Sequence, residues 1–156
     1  MKLRVNPILA IALLASAQVG MADDKAAYPN EKSAAFVIQN LDITSLPSDF
    51  RPKKEKGKKT FTDYSFTTQK LNDNEALIEA PGNVRSLSIK VLEVSASGIY
   101  ACVAEPAQDG STPRVQNVIR LQRKDSDNLL KGRLTWKNFS SCPTIEDEST
   151  ATSSID

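Results

Sequence analysis

Four consecutive runs between Ser86 and Phe139 read as strands, the first and last of them alternating apolar and polar residues, and that pattern constrains this chain more than any other feature. In "SLSIKVLEV" the apolar Leu87, Ile89 and Val91 are separated by Ser88 and Lys90. "IYACVAE", from Ile99 to Glu105, is apolar at nearly every position, as a strand covered on both faces is; "RVQNVIRLQR" follows from Arg114 to Arg123. In "LLKGRLTWKNF" Leu130, Leu134 and Trp136 face one way, and Lys131, Arg133, Thr135 and Lys137 the other. A period of two is the mark of strands with one face buried. Turn-forming stretches divide the runs: "SASG" at Ser95–Gly98, "PAQDGSTP" at Pro106–Pro113 and "KDSDN" at Lys124–Asn128. Leu92 and Val94 shift the phase of the first run, which predicts a bulge near Val91.

The upstream half reads less regularly. "AFVIQNLDI", Ala35–Ile43, has the β-branched and aromatic content of a first strand. "TSLPSDFRPKKEKGKK" holds Pro47, Pro52 and Gly57 and reads as a loop. Thr60–Leu71 and Glu75–Ala80, joined by "NDN", predict a hairpin. No run after residue 22 keeps a helical period beyond two turns. The fold class expected is all-β, an antiparallel sandwich or small barrel of about seven strands. It would occupy one domain at 35–143, after a mobile leader at 23–34 and before a disordered acidic tail at 144–156.

The first residues place Lys2 and Arg4 before an apolar run from Ile8 to Ala15 and then small residues, the three-part order of a signal peptide with cleavage expected after Ala22. The run is about half the ~20 residues a membrane span needs, so no transmembrane anchor is expected and the domain should act in the periplasm or outside the cell. In an oxidising compartment two thiols in one small domain pair. Cys102 and Cys142 are the only cysteines, so a Cys102–Cys142 disulfide is predicted. It closes a loop of about 40 residues, worth on the order of 4 kcal/mol in the chain-entropy picture.

"SLSIKVLEVSASGIYACVAE" resembles the part of immunoglobulin-like domains that reads Leu-x-Ile, then Ser-Gly-x-Tyr-x-Cys-x-Ala, here Leu87, Ile89, Ser97, Gly98, Tyr100, Cys102 and Ala104. The resemblance implies a tyrosine whose hydroxyl closes a corner and a cysteine that bridges two sheets. The chain departs from that pattern, because no cysteine precedes Cys102 and no tryptophan lies upstream of it. An adhesive or receptor role does not follow from the motif.

For chemistry, the densest signal is "RPKKEKGKK". Arg51, Lys53, Lys54, Lys56, Lys58 and Lys59 are offset by Glu55 alone, a net +5 over nine positions. Such a loop attracts an anionic envelope polymer or an acidic protein face; the competing reading is a solvated loop whose lysines guard a strand edge. The run holds no aromatic for base stacking and the whole chain carries only +1, so sequence-specific nucleic-acid binding is not expected. Lys131, Arg133 and Lys137, with Arg120 and Arg123 across the hairpin, would extend the charge if the loop folded over that sheet. Histidine is absent, which removes the commonest base near neutral pH and the commonest zinc ligand; no cofactor or metal motif is present and no enzyme is expected. Asp63, Glu75, Glu79, Glu93 and Glu105 are the acids a carboxylate-based hydrolase would draw on. The function expected is binding. The rival readings are an inhibitor or immunity-type protein that inserts the Gly110 loop into a hydrolase or toxin, and a carboxylate hydrolase. "NFS" at Asn138–Ser140 matches a glycosylation acceptor.

Overall fold

The structure, a computed structural model, describes residues 28–107, 112–124 and 127–143; the expected signal peptide and acidic tail lie outside them. It comprises a helix α1 (Ser33–Asn40) and seven strands: β1 (Leu41–Asp42), β2 (Thr67–Leu71), β3 (Glu75–Glu79), β4 (Ser86–Ser95), β5 (Gly98–Glu105), β6 (Val115–Arg123) and β7 (Leu130–Leu134). All seven belong to one sheet in the order β1-β7-β6-β5-β4-β3-β2, curled into a half-barrel. Every neighbouring pair is antiparallel except β1 and β7, which run parallel with Leu41 opposite Leu130.

The alternation read from the sequence sets which face is inside. Ala76, Ile78, Leu87, Ile89, Ala101, Val103, Ile119 and Leu121 are all buried on the concave face. β5 is the middle strand of the seven, which explains why it is apolar on both sides. The bulge falls where the phase breaks: Val91 is opposite Ala101 and Glu93 opposite Tyr100, so Leu92 is the extra residue. It turns to the outer face, where it packs near Cys102, and Val94 returns to the inner core. Gly98 enters β5 at φ 145°, and a Cβ there would lie 2.6 Å from the Leu121 carbonyl oxygen, so the turn into the central strand requires glycine.

The N-terminal half fills the concave face. Residues 35–43 do not form the expected strand: Ser33–Asn40 is helical, followed by only two residues of β1. Ala34, Val37 and Leu41 are fully buried, a three-then-four spacing that fits a helix. At two turns this segment is too short for the period to stand out against its β-branched residues. The expected strand at Thr60–Leu71 is likewise shorter. Only Thr67–Leu71 pairs with β3, while Thr60–Ser65 forms turns that bury Phe61 and Tyr64 beside Phe50. Of the expected leader, residues from Tyr28 onward are described; Tyr28 packs on the core and its hydroxyl accepts from the Arg123 N–H at 3.0 Å.

The outer face is covered by the C-terminal segment 135–143. Cys142 is joined to Cys102, with Cα atoms 5.7 Å apart, and the bridge is buried with Val118 among Leu92, Tyr100 and Phe139. The strap reaches β4, where Lys137 Nζ meets Glu93 Oε2 at 2.6 Å. The expected core face of the last strand stops early. Leu130 and Gly132 are buried, but Leu134 is 61% and Trp136 100% exposed, because the chain leaves the sheet for the outer face after Leu134. The immunoglobulin-like segment spans β4 and β5 of the single sheet, and Tyr100 stacks with Phe139 at 5.8 Å.

Candidate functional site

The basic loop leaves the core at Phe50, which is fully buried, and returns at Lys59, whose carbonyl accepts from the Ile43 N–H at 2.8 Å. Between these anchors its backbone is held from beneath. The Tyr64 hydroxyl accepts from the Glu55 N–H at 3.0 Å and donates to the Lys53 carbonyl at 3.1 Å. Asp63 Oδ2 accepts from the N–H groups of Lys59 and Thr60 at 2.9 and 2.8 Å, and those backbone bonds lower its pKa. The loop is therefore a positioned feature, its conformation fixed by one buried ring and one carboxylate.

Its cations divide into two groups. Lys58 pairs with Glu55 at 2.8 Å and lies 5.4 Å from the Tyr64 ring centroid; the hydrogen bond to Glu55 raises its pKa. Lys59 pairs with Asp127 at 2.8 Å, and that hydrogen bond draws the Asp127 carboxyl down to about 2. Arg51, Lys53, Lys54 and Lys56 are exposed and form no ion pair with any described residue. Four charges thus project from a fixed backbone while two help to fix it.

The wider patch foreseen with β6 and β7 forms only at one corner. Asp127 lies 3.5 Å from Lys131, which itself pairs with the buried Asp42 at 2.7 Å, so Lys59 and Lys131 meet through one shared carboxylate, that of Asp127. Arg123 instead lies over the Tyr28 and Phe36 rings, 5.3 and 5.1 Å from their centroids. Arg120 donates to the Ser97 carbonyl at 3.2 Å and Lys137 goes to Glu93. Tyr64 and Asp63, which set the loop's shape, carried no signal as loop anchors in the sequence; the hint available was the Asp63 spacing four residues past Lys59.

The acids considered for hydrolysis are each engaged separately: Asp63 with backbone N–H groups, Glu75 with Lys70 at 3.9 Å, Glu79 with Gln69, Glu93 with Lys137 and Glu105 with Arg85 at 3.3 Å. Among the described residues no two of these acids share a partner. The central residues of the Gly110 loop, 108–111, lie outside the described residues. Among the described residues no helix is long and apolar enough to cross a membrane. No family model matches the chain, and neither a curated protein nor a solved structure matches it significantly.

Proposed function

We propose that this protein is an exported binding domain that engages an anionic envelope polymer or an acidic protein face through the Arg51–Lys59 loop. The observation that carries this reading is the pairing of a fixed backbone with unpaired charge: Arg51, Lys53, Lys54 and Lys56 are exposed on a loop that Tyr64 and Asp63 hold in shape. Preorganised cations lose little freedom on capture of an anion, whereas a loop that served only as a soluble cover would need no such anchoring. Export follows from the signal-like N-terminus and agrees with a buried disulfide.

The test is retention on heparin-agarose, as a polyanion probe, along a salt gradient. Lys53→Ser, Lys54→Ser and Lys56→Ser combined, which leaves the structural Lys58 and Lys59 in place, is expected to elute at lower salt. The slope of log affinity against log salt should fall by about two to three. Elution with the unsubstituted protein would remove the loop from the binding surface. A protein partner is favoured over a polymer by one feature, the full exposure of Trp136 beside the 61% exposed Leu134, since tryptophan is enriched among residues that dominate protein interfaces. Capture from envelope fractions that is lost on Trp136→Ala but kept by the lysine variant would assign the contact to that side of the molecule.

A further inference from the structure

The outer face of the sheet holds a second concentration of positive charge, separate from the loop. Arg120 on β6 and Arg133 on β7 are direct cross-strand partners, an arrangement in which like charges repel. Arg120 is held in place: its Nη2 donates to the Ser97 carbonyl at 3.2 Å, and its guanidinium lies 5.8 Å from the Tyr100 ring centroid. That bond uses one of five N–H donors, and Nε is shut away from solvent without a partner. Arg133 is exposed and makes no hydrogen bond or ion pair with any described residue.

The carboxylates placed around this pair are already taken. Glu93, across Tyr100 on the same face, binds Lys137 at 2.6 Å. Asp42 and Asp127 bind Lys131 and Lys59. Along the strands the flanking outward residues are Val118, Gln122 and Lys131, none of them acidic. Arg120 and Arg133 therefore stand side by side in register on the outer face, and neither forms an ion pair with a carboxylate of any described residue.

We propose that Arg120 and Arg133 form an anion site for a phosphate group, each presenting N–H donors to one tetrahedral oxyanion. The bound anion relieves the repulsion that the register imposes, so the site couples occupancy to stability. The phosphate is either free in solution or carried on a lipid headgroup, and the chemistry of recognition is the same for both.

The experiment uses the full-length oxidised protein labelled with 15N, titrated with inorganic phosphate and, at matched ionic strength, with chloride. Saturable shifts of the Arg120, Gln122 and Arg133 amides are expected with phosphate and not with chloride. Arg133→Gln is expected to weaken phosphate binding about tenfold. In phosphate-free buffer it should also raise Tm by about 1 to 3 °C, whereas a merely structural arginine would lower it. The Lys53, Lys54 and Lys56 serine variant should keep the phosphate shifts, so failure of the loop reading and failure of this one are distinguishable. Co-sedimentation with phosphatidylcholine vesicles only when they contain phosphatidylglycerol, lost in Arg133→Gln, assigns the headgroup; phosphate shifts without co-sedimentation assign the free ion. Equal responses to phosphate and chloride, or an Arg133→Gln variant that binds phosphate as well as the unsubstituted protein, overturn the proposal.

Discussion

Asp42 shows how much one buried charge organises. Its side chain accepts from the Thr44 N–H at 3.0 Å and the Thr44 hydroxyl at 2.6 Å, and pairs with Lys131 at 2.7 Å, joining the N-terminal segment to β7 at the parallel edge. Burial pushes its carboxyl up, but the bonds from Lys131 and Thr44 together bring it below the ordinary carboxylate value. Asp127, bonded to Lys59, is drawn down to about 2. Both folded-state values lie below the unfolded ones, so these carboxylates stabilise the fold above the unfolded value and that stabilisation disappears as pH falls through the folded values. Thermal melts at a series of pH values are therefore expected to lose Tm between about pH 4 and pH 2, with a shallower loss in Asp42→Ala. At neutral pH that substitution leaves Lys131, its side chain only 18% exposed, without its shorter ion pair, and urea unfolding should register a loss of about 2 kcal/mol. Nothing in the sequence marked Asp42: it lies in a segment whose strand-like composition hid a helix, and its partner is 89 residues away.

Among the elements, the strap at 135–143 is the one whose attachment includes a covalent link, the Cys102–Cys142 bridge. Replacing Cys102 and Cys142 together with alanine removes the 40-residue closure and is expected to cost about 4 kcal/mol. Hydrogen exchange should then show protection lost first at Cys142, whose N–H is bonded to the Phe139 carbonyl at 2.9 Å, while β3 and β4 keep theirs. Retained protection at Cys142 would mean that Phe139, Tyr100 and the Lys137 pair hold the strap unaided. β4, β5 and β6, the bulge at Leu92 and the disulfide were legible in the sequence because each depends on residues a few places apart or on the only two cysteines present. The core face of β7 was misjudged at Leu134 and Trp136 because alternation tells which residues share a side, not where the chain leaves the sheet. Tyr64 and Asp63 escaped notice for a related reason, since anchoring a loop depends on where its backbone returns.

At the scale of the whole molecule, one curled sheet is covered inside by the chain that precedes it and outside by the chain that follows it. A seven-strand count distinguishes neither this arrangement from two packed sheets nor a parallel edge from an antiparallel one, because β1 is two residues long and is defined by its neighbour. The full chain carries only +1, so its net charge supplies little long-range attraction for an anion, and the binding proposed above rests on local clusters, the loop and the Arg120–Arg133 pair. Trp136 adds a consequence for anyone who studies this protein in solution. It is the only tryptophan, and it is 100% exposed in the folded chain, so its indole already emits as it would in water. The wavelength of its emission maximum should stay nearly constant while the protein melts, and a melt followed by that wavelength would look flat. A blue shift on mixing would then report that something had covered the ring, free of any signal from unfolding.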